Sequence, residues 1–137
     1  MSSAGLTEDQ KRLVEAARAA AARAYVPYSR YPVGAAVLGG SGRVHVGCNV
    51  ENSSYPVGLC AERNAVGTAV AEGETQVVAI AVASAEERVA TLTPCGMCRQ
   101  FLAEFGAEVL VIFPVDGAWR ATPIGELLPL AFSLETG

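Results

Sequence analysis

Three of the four cysteines in this 137-residue chain fall in two short stretches, Cys60-Ala61-Glu62-Arg63 and Pro94-Cys95-Gly96-Met97-Cys98. Three thiolates suit a zinc ion, which prefers tetrahedral sites of sulfur and nitrogen ligands. A structural site fills all four positions, whereas a catalytic site keeps one for water. Cys95 and Cys98, at C-x-x-C spacing where a helix should begin, can both reach one ion, and Cys60, at the start of another helix, can supply the third sulfur. Helix N-termini carry partial positive charge, which lowers thiol pKa and favours the ligating anion. Glu62 follows Cys60 by two residues. A carboxylate there could take a proton from the metal's water and hand it to a substrate nitrogen. Three thiolates on a dication leave an excess negative charge, which the two helix ends and a hydrogen bond from Arg63 to a ligand sulfur would offset.

Other readings fit parts of this pattern. Cys48 could complete a four-thiolate structural site, as in a zinc-stabilised interaction module without catalysis. Cys95 and Cys98 could form a redox pair, which leaves Cys60 and Glu62 without a role. Glu62 and Arg63 could be no more than a solvated first helical turn, where acidic residues are common.

Composition narrows the choice. Length predicts a single domain, residues 1–137, large enough to bury a core without disulfide staples. Hydrophobic residues make up 51% of the chain and the mean hydropathy is +0.31, an apolar excess that predicts burial against further copies of the chain. The net charge of -4 argues against a nucleic-acid partner. The Ala-rich stretch Thr7–Tyr25 is interrupted by Glu8, Asp9, Lys11, Arg12, Glu15, Arg18 and Arg23, so it does not read as a signal peptide, and no apolar run is long enough to span a membrane. A cytoplasmic location follows, where cysteines serve metals or catalysis more than disulfides.

The elements that would carry these residues follow from patterning. Thr7 with Gln10 forms a capping box for a helix over 8–25, apolar at Leu13, Ala16, Ala17, Ala20 and Ala24 and ended by Pro27. Strands are predicted over 33–38 and 43–49, joined as a hairpin through Gly39–Gly42. His45 is expected to be an exposed edge residue, facing away from Val44 and Val46. A polar loop, 49–56, leads to a helix from Leu59 or Cys60 to Glu72, ended by Gly73. Val77–Ser84 reads as a strand buried on both faces, followed by a connection over 86–91. A helix over 95–105, a buried strand over 108–113, a turn at 114–117 and an edge strand over 118–121 come next. Thr122 is expected to cap a last short helix with Pro123 at its first position. This order, α-β-β-α-β-α-β-β-α, implies a five-stranded mixed sheet with helices on both faces, and both cysteine-bearing helices follow loops that leave strand ends, where such sheets place their sites.

At Cys60-Ala61-Glu62 and Pro94-Cys95-Gly96-Met97-Cys98 the chain resembles the zinc-dependent nucleoside deaminases, in which zinc activates a water and a glutamate that is not a ligand moves protons. The wider match narrows this to the cytidine deaminase family of the small, all-cysteine, homotetrameric kind. It is carried by YVPYSRYPVGAAVL, GCNVENSSY, CAERNA, PCGMCRQFL and ELLPLAF, between Tyr25 and Phe132.

The resemblance implies a three-layer α-β-α fold, one zinc ion held by Cys60, Cys95 and Cys98, and Glu62 as proton shuttle. It implies that Asn49 and Glu51 bond the ribose hydroxyls, that the Ala61 backbone contacts the base, and that Arg63 tempers the thiolate charge. Tyr31 stands where the family usually has a phenylalanine near the base. Tyr55 and Phe132 match positions that reach a neighbouring subunit's site in the homotetramer. The implied activity is hydrolytic deamination of cytidine and 2'-deoxycytidine in pyrimidine salvage. The intact NVEN loop favours a free nucleoside over an aminoglycosyl-cytosine antibiotic, and the acidic charge disfavours polynucleotide.

Overall fold

The structure, a computed structural model, describes residues 5–86 and 90–136. Five strands form one sheet in the order β2-β1-β3-β4-β5: β1 (Val33–Gly39), β2 (Val44–Cys48), β3 (Val77–Ser84), β4 (Leu110–Val115) and β5 (Ala118–Pro123). Only β3 and β4 run parallel; the other pairs are antiparallel. The sheet is therefore mixed, and β3, the most apolar segment, lies at its centre.

Helices cover both faces. On one side α1 (Glu8–Ala21) buries Leu13, Val14 and Ala17 against Ala36, Ala79, Ala81, Ala83, Ile112 and Trp119. On the other, α2 (Ala61–Ala71), α3 (Gly96–Ala103) and the short α4 (Ile124–Leu127) contribute Ala65, Val66, Ala69, Leu102 and Ile124 to a cluster with Ala35, Val37, Ile80, Val111 and Phe113. Alternate strand residues serve opposite layers, as the pleat requires. Two glycines on adjacent rungs set how close the layers come. A Cβ at Gly34 would run into the α1 backbone at Ala17, and one at Gly47 would run into the α2 backbone at Ala65.

Several expectations are corrected. The capping box forms as predicted, with Gln10 N donating to Thr7 Oγ1 at 3.1 Å and Thr7 N to Gln10 Oε1 at 3.0 Å. However, α1 stops at Ala21, because Tyr25 is drawn into strand-like pairing: its N–H donates to Asn49 O, and Glu51 N donates back to Tyr25 O. His45 is buried, not exposed: Val44 and Val46 face solvent, and His45 turns inward to Glu74, just beyond α2. Thr122 belongs to β5 and does not cap α4, which starts from Pro123 without a side-chain cap. Pro114 lies within β4, and the hairpin turns at Asp116-Gly117, both at positive φ. The helix expected over 95–105 ends at Ala103. Of the connection expected over 86–91, residues 87–89 lie outside the described residues.

Candidate metal centre and adjoining cavity

Cys60 and Cys95 each occupy the position just before a helix, α2 and α3 respectively, and Cys98 sits in the first turn of α3. Neither Cys60 nor Cys95 spends its side chain on capping. The packing of α2 and α3 on one face of the sheet brings all three sulfurs within 4.8 Å of one another, with Cys60 Sγ and Cys95 Sγ 3.8 Å apart. Tetrahedral zinc with bonds of about 2.3 Å sets ligand sulfurs roughly 3.8 Å apart, so the cluster fits that ion. Cys98 is fully buried and Cys95 is exposed, a graded arrangement that leaves one side open.

The electrostatics of the three sulfurs also suit a cation. A hydrogen bond with Cys98, then contacts with Arg63 and Cys95, lower the Cys60 thiol to about 5 despite burial. The Cys98 thiol is pushed strongly up, first by its bond to Cys60 and then by burial and the charges of Glu62 and Cys60. A dication bound by the sulfurs would favour the thiolate form of each ligand. Arg63 is held beside the sulfurs, donating to Gly58 O at 3.0 Å. Although burial alone would lower its pKa, hydrogen bonds to the Cys60 and Cys98 sulfurs raise it. Cys48 does not join the group: the cluster found among the described residues is Cys60, Cys95 and Cys98, and by strand alternation Cys48 points to the α1 side while its neighbour Gly47 meets α2.

Glu62, in the first turn of α2, is buried. Burial pushes its carboxyl up to about 7, and the Cys60 charge adds to this. Ala61 is also buried. Behind Cys95, Arg99 donates to Pro94 O at 2.8 Å, Leu127 O at 2.8 Å and Thr93 Oγ1 at 3.2 Å, fastening the loop that carries the C-x-x-C pair to α4.

A cavity of about 410 Å³ adjoins Cys60 and is lined by Tyr28, Ser29, Asn49, Glu51 and Tyr55 among others. Asn49 Oδ1 accepts from Val33 N at 2.9 Å and Nδ2 donates to Tyr31 O at 3.0 Å. Glu51 Oε1 accepts from Tyr28 N at 3.0 Å and Ser29 N at 3.1 Å. The Ser29 hydroxyl and these amides hold the Glu51 carboxyl below its ordinary value. Leu59 and Val50 exchange both backbone hydrogen bonds, at 2.8 and 2.9 Å, so the loop between them closes on itself beside Cys60. Tyr55 is 74% exposed and meets Tyr28 edge-on at 5.8 Å.

Tyr31, Ala61, Glu62 and Phe132 do not line this cavity. Tyr31 is half-buried. Phe132 is 71% exposed, in the tail beyond α4, where its carbonyl accepts from Gln100 Nε2 at 3.0 Å. Sequence reasoning does not single out Tyr28 and Ser29. The available signal is a serine in a short aromatic loop, a residue whose hydroxyl organises nearby backbone.

Residues 7–113 match the family model of the cytidine and deoxycytidylate deaminase zinc-binding region. The cytidine deaminase of Sporosarcina psychrophila is 42% identical over 129 residues, covering 93% of each chain. That of Mycobacterium tuberculosis (strain H37Rv) is 49% identical over 117 residues, 85% of this chain and 84% of that one. Among solved structures, cytidine deaminase from M. tuberculosis aligns with a TM-score of 0.83 at 46% identity, over 93% of this chain and 100% of that one. The cytidine deaminase from Burkholderia pseudomallei gives 0.83 at 44% identity, again over 93% and 100%.

Proposed function

This chain belongs to the cytidine and deoxycytidylate deaminase zinc-binding family, and we propose from this that it hydrolyses cytidine and 2'-deoxycytidine to the uridine products and ammonia, as a step of pyrimidine salvage. The observation that carries the reading is the meeting of three cysteine sulfurs with a buried carboxylate two residues from Cys60, next to a cavity lined by Asn49 and Glu51.

Cys60, Cys95 and Cys98 would hold the zinc. When bound, the ion supplies a Lewis acid that makes water nucleophilic near neutral pH. Glu62 takes a proton from the water that adds to C4 of the pyrimidine and gives it to the ring nitrogen N3. It then carries the proton of the new C4 hydroxyl to the amino group, which leaves as ammonia while the C4 carbonyl forms. A carboxyl poised near neutrality can both accept and donate in this sequence. Asn49 and Glu51 bond the sugar hydroxyls, an amide and a carboxylate being suited to a diol. Tyr31 offers an aromatic face to the base, and the Ala61 backbone orients it. Arg63 offsets the charge of the thiolates.

Tyr55 and Phe132, both highly exposed in the single chain, reach neighbouring subunits' sites in a homotetramer. The exposed Val44 and Val46 on the edge strand support burial against further copies. No helix among the described residues is long and apolar enough to cross a membrane; a cytoplasmic enzyme without a nucleic-acid partner is in keeping with that and with the net charge of -4.

The test is the ultraviolet change when purified, zinc-assayed protein meets cytidine or 2'-deoxycytidine, with adenosine and free cytosine as controls. Loss of both nucleosides with stoichiometric ammonia is expected. Absence of turnover at one zinc per chain would overturn the substrate assignment.

A further inference from the structure

Cys95 is the least enclosed of the three sulfur residues: it is exposed, while Cys98 is fully buried and Cys60 half-buried. Side-chain packing therefore holds it least, and its direction follows from the backbone. The peptide unit is planar and each residue turns only about φ and ψ, so the two peptides flanking Cys95 decide where its Cβ and sulfur point. Both are held by one residue. Arg99 N donates to Cys95 O at 2.9 Å, and Arg99 Nε donates to Pro94 O, the carbonyl just before Cys95, at 2.8 Å. Cys60 is set differently, because both of its flanking carbonyls accept from backbone groups: Leu59 O from Val50 N at 2.9 Å and Cys60 O from Asn64 N at 3.1 Å. At Pro94 a side chain takes that part.

The guanidinium is itself fixed from two further sides. Nη2 donates to Thr93 Oγ1 at 3.2 Å and Nη1 to Leu127 O at 2.8 Å. Leu127 closes α4, where the last carbonyls have no partner inside the helix. In turn, α4 is tied to the segment leading into β4: Ile124 N donates to Val109 O at 2.8 Å and Gly125 N to Ala107 O at 2.9 Å, and Ile124 is fully buried. The planar fork of Arg99 thus refers the peptide ahead of Cys95 to a helix anchored in the core, which a single point charge could not do.

We propose that Arg99 is a positioning residue for the metal centre. It fixes the direction of the Cys95 sulfur, and the retention of zinc depends on it. This rests on zinc binding by Cys60, Cys95 and Cys98 and not on which nucleoside is the substrate.

The experiment mixes zinc-loaded wild type, R99M and E74Q with excess chelator and follows zinc release, each at the same interval below its own melting temperature. R99M keeps an unbranched side chain and removes the donors. Groups that orient metal ligands contribute roughly 10–100-fold to affinity, so zinc should leave R99M faster by that factor. E74Q removes a bonded carboxylate just beyond the far end of α2 and should release zinc at the wild-type rate. Cobalt-substituted protein gives a second readout. Its sulfur-to-cobalt charge-transfer and ligand-field bands report the geometry of the sulfurs, and they should shift in R99M and not in E74Q. Should R99M fail to fold, R99K, with one ammonium in place of the fork, should show the same changes to a smaller degree. A wild-type release rate or unshifted cobalt bands in the Arg99 variant, or equal changes in E74Q, would overturn the role of Arg99 alone. A wild type that binds no zinc would overturn the three-cysteine reading, and this inference with it.

Discussion

His45 Nε2 lies 2.6 Å from Glu74 Oε2, with both residues buried. Ser41 donates to the same carboxylate oxygen at 2.5 Å. These contacts, that of Ser41 first and then that of His45, hold the Glu74 carboxyl down to about 2, from an ordinary 4.5. The bonds tie the β1–β2 hairpin to the end of α2, the helix that begins at the metal centre.

A depressed carboxyl stabilises the fold above its unfolded pKa, and that contribution disappears as the pH falls through the folded value. Between about 4.5 and about 2 the wild type should lose the stability that Glu74 confers. E74Q removes it in advance. The expected result is a clearly lower melting temperature for E74Q at pH 7, with the gap to wild type closing as the pH approaches 2. Thermal melts across that range provide the measurement; a gap that does not narrow on acidification rejects the account.

Glu62→Gln keeps the size of a buried side chain and removes its ability to move a proton. The zinc content and melting temperature should stay close to wild type while kcat falls by roughly 10²–10⁴-fold, the span of a general acid–base group. Single-turnover assays on zinc-loaded protein distinguish this from weaker binding.

Metal stoichiometry separates a three-sulfur site from a four-sulfur one. C48S should retain one zinc per chain, whereas C95S and C98S should lose it or hold it only against weak chelators. Chelation of wild type should abolish activity and zinc should restore it. Zinc loss in C48S would revive the four-thiolate reading.

Two glycines near α2 should respond in opposite directions. Gly47→Ala drives a methyl into the Ala65 backbone and should destabilise by about 1–3 kcal/mol, with the starting end of α2 displaced. At Gly67, within α2, an added methyl would meet no atom within 4 Å beyond its own helix; Gly67→Ala should stabilise by about 0.5–1 kcal/mol. Urea unfolding of the two variants measures both.

The metal centre is legible in the sequence because its signals are local. Cys60 and Cys95 sit just before helices that a proline or a loop announces, and C-x-x-C spacing constrains Cys95 and Cys98 whatever the rest of the chain does. The central position of β3 is equally plain from its continuous apolar run. What patterning misses depends on partners far along the chain. His45 alternates correctly with Val44 and Val46, but which side is buried depends on Glu74, twenty-nine residues later. Tyr25 looks helical by continuity, yet pairing with Asn49 and Glu51 outweighs one more helical turn. Thr122 and Pro114 suggest a cap and a turn by residue type alone, whereas the pairing of β4 with β5 keeps both in the sheet.

The paired hydrogen bonds between Val50 and Leu59 make the segment from Glu51 to Gly58 a closed loop whose base is pinned and whose tip is exposed. Residues could be added or removed near Ser53 and Ser54 without shifting Cys60, since the pinned base absorbs the change before it reaches α2. Diversification of this fold therefore has a natural outlet: the rim of the cavity beside Cys60 can be rewritten by insertion while the three-cysteine cluster next to it is inherited intact.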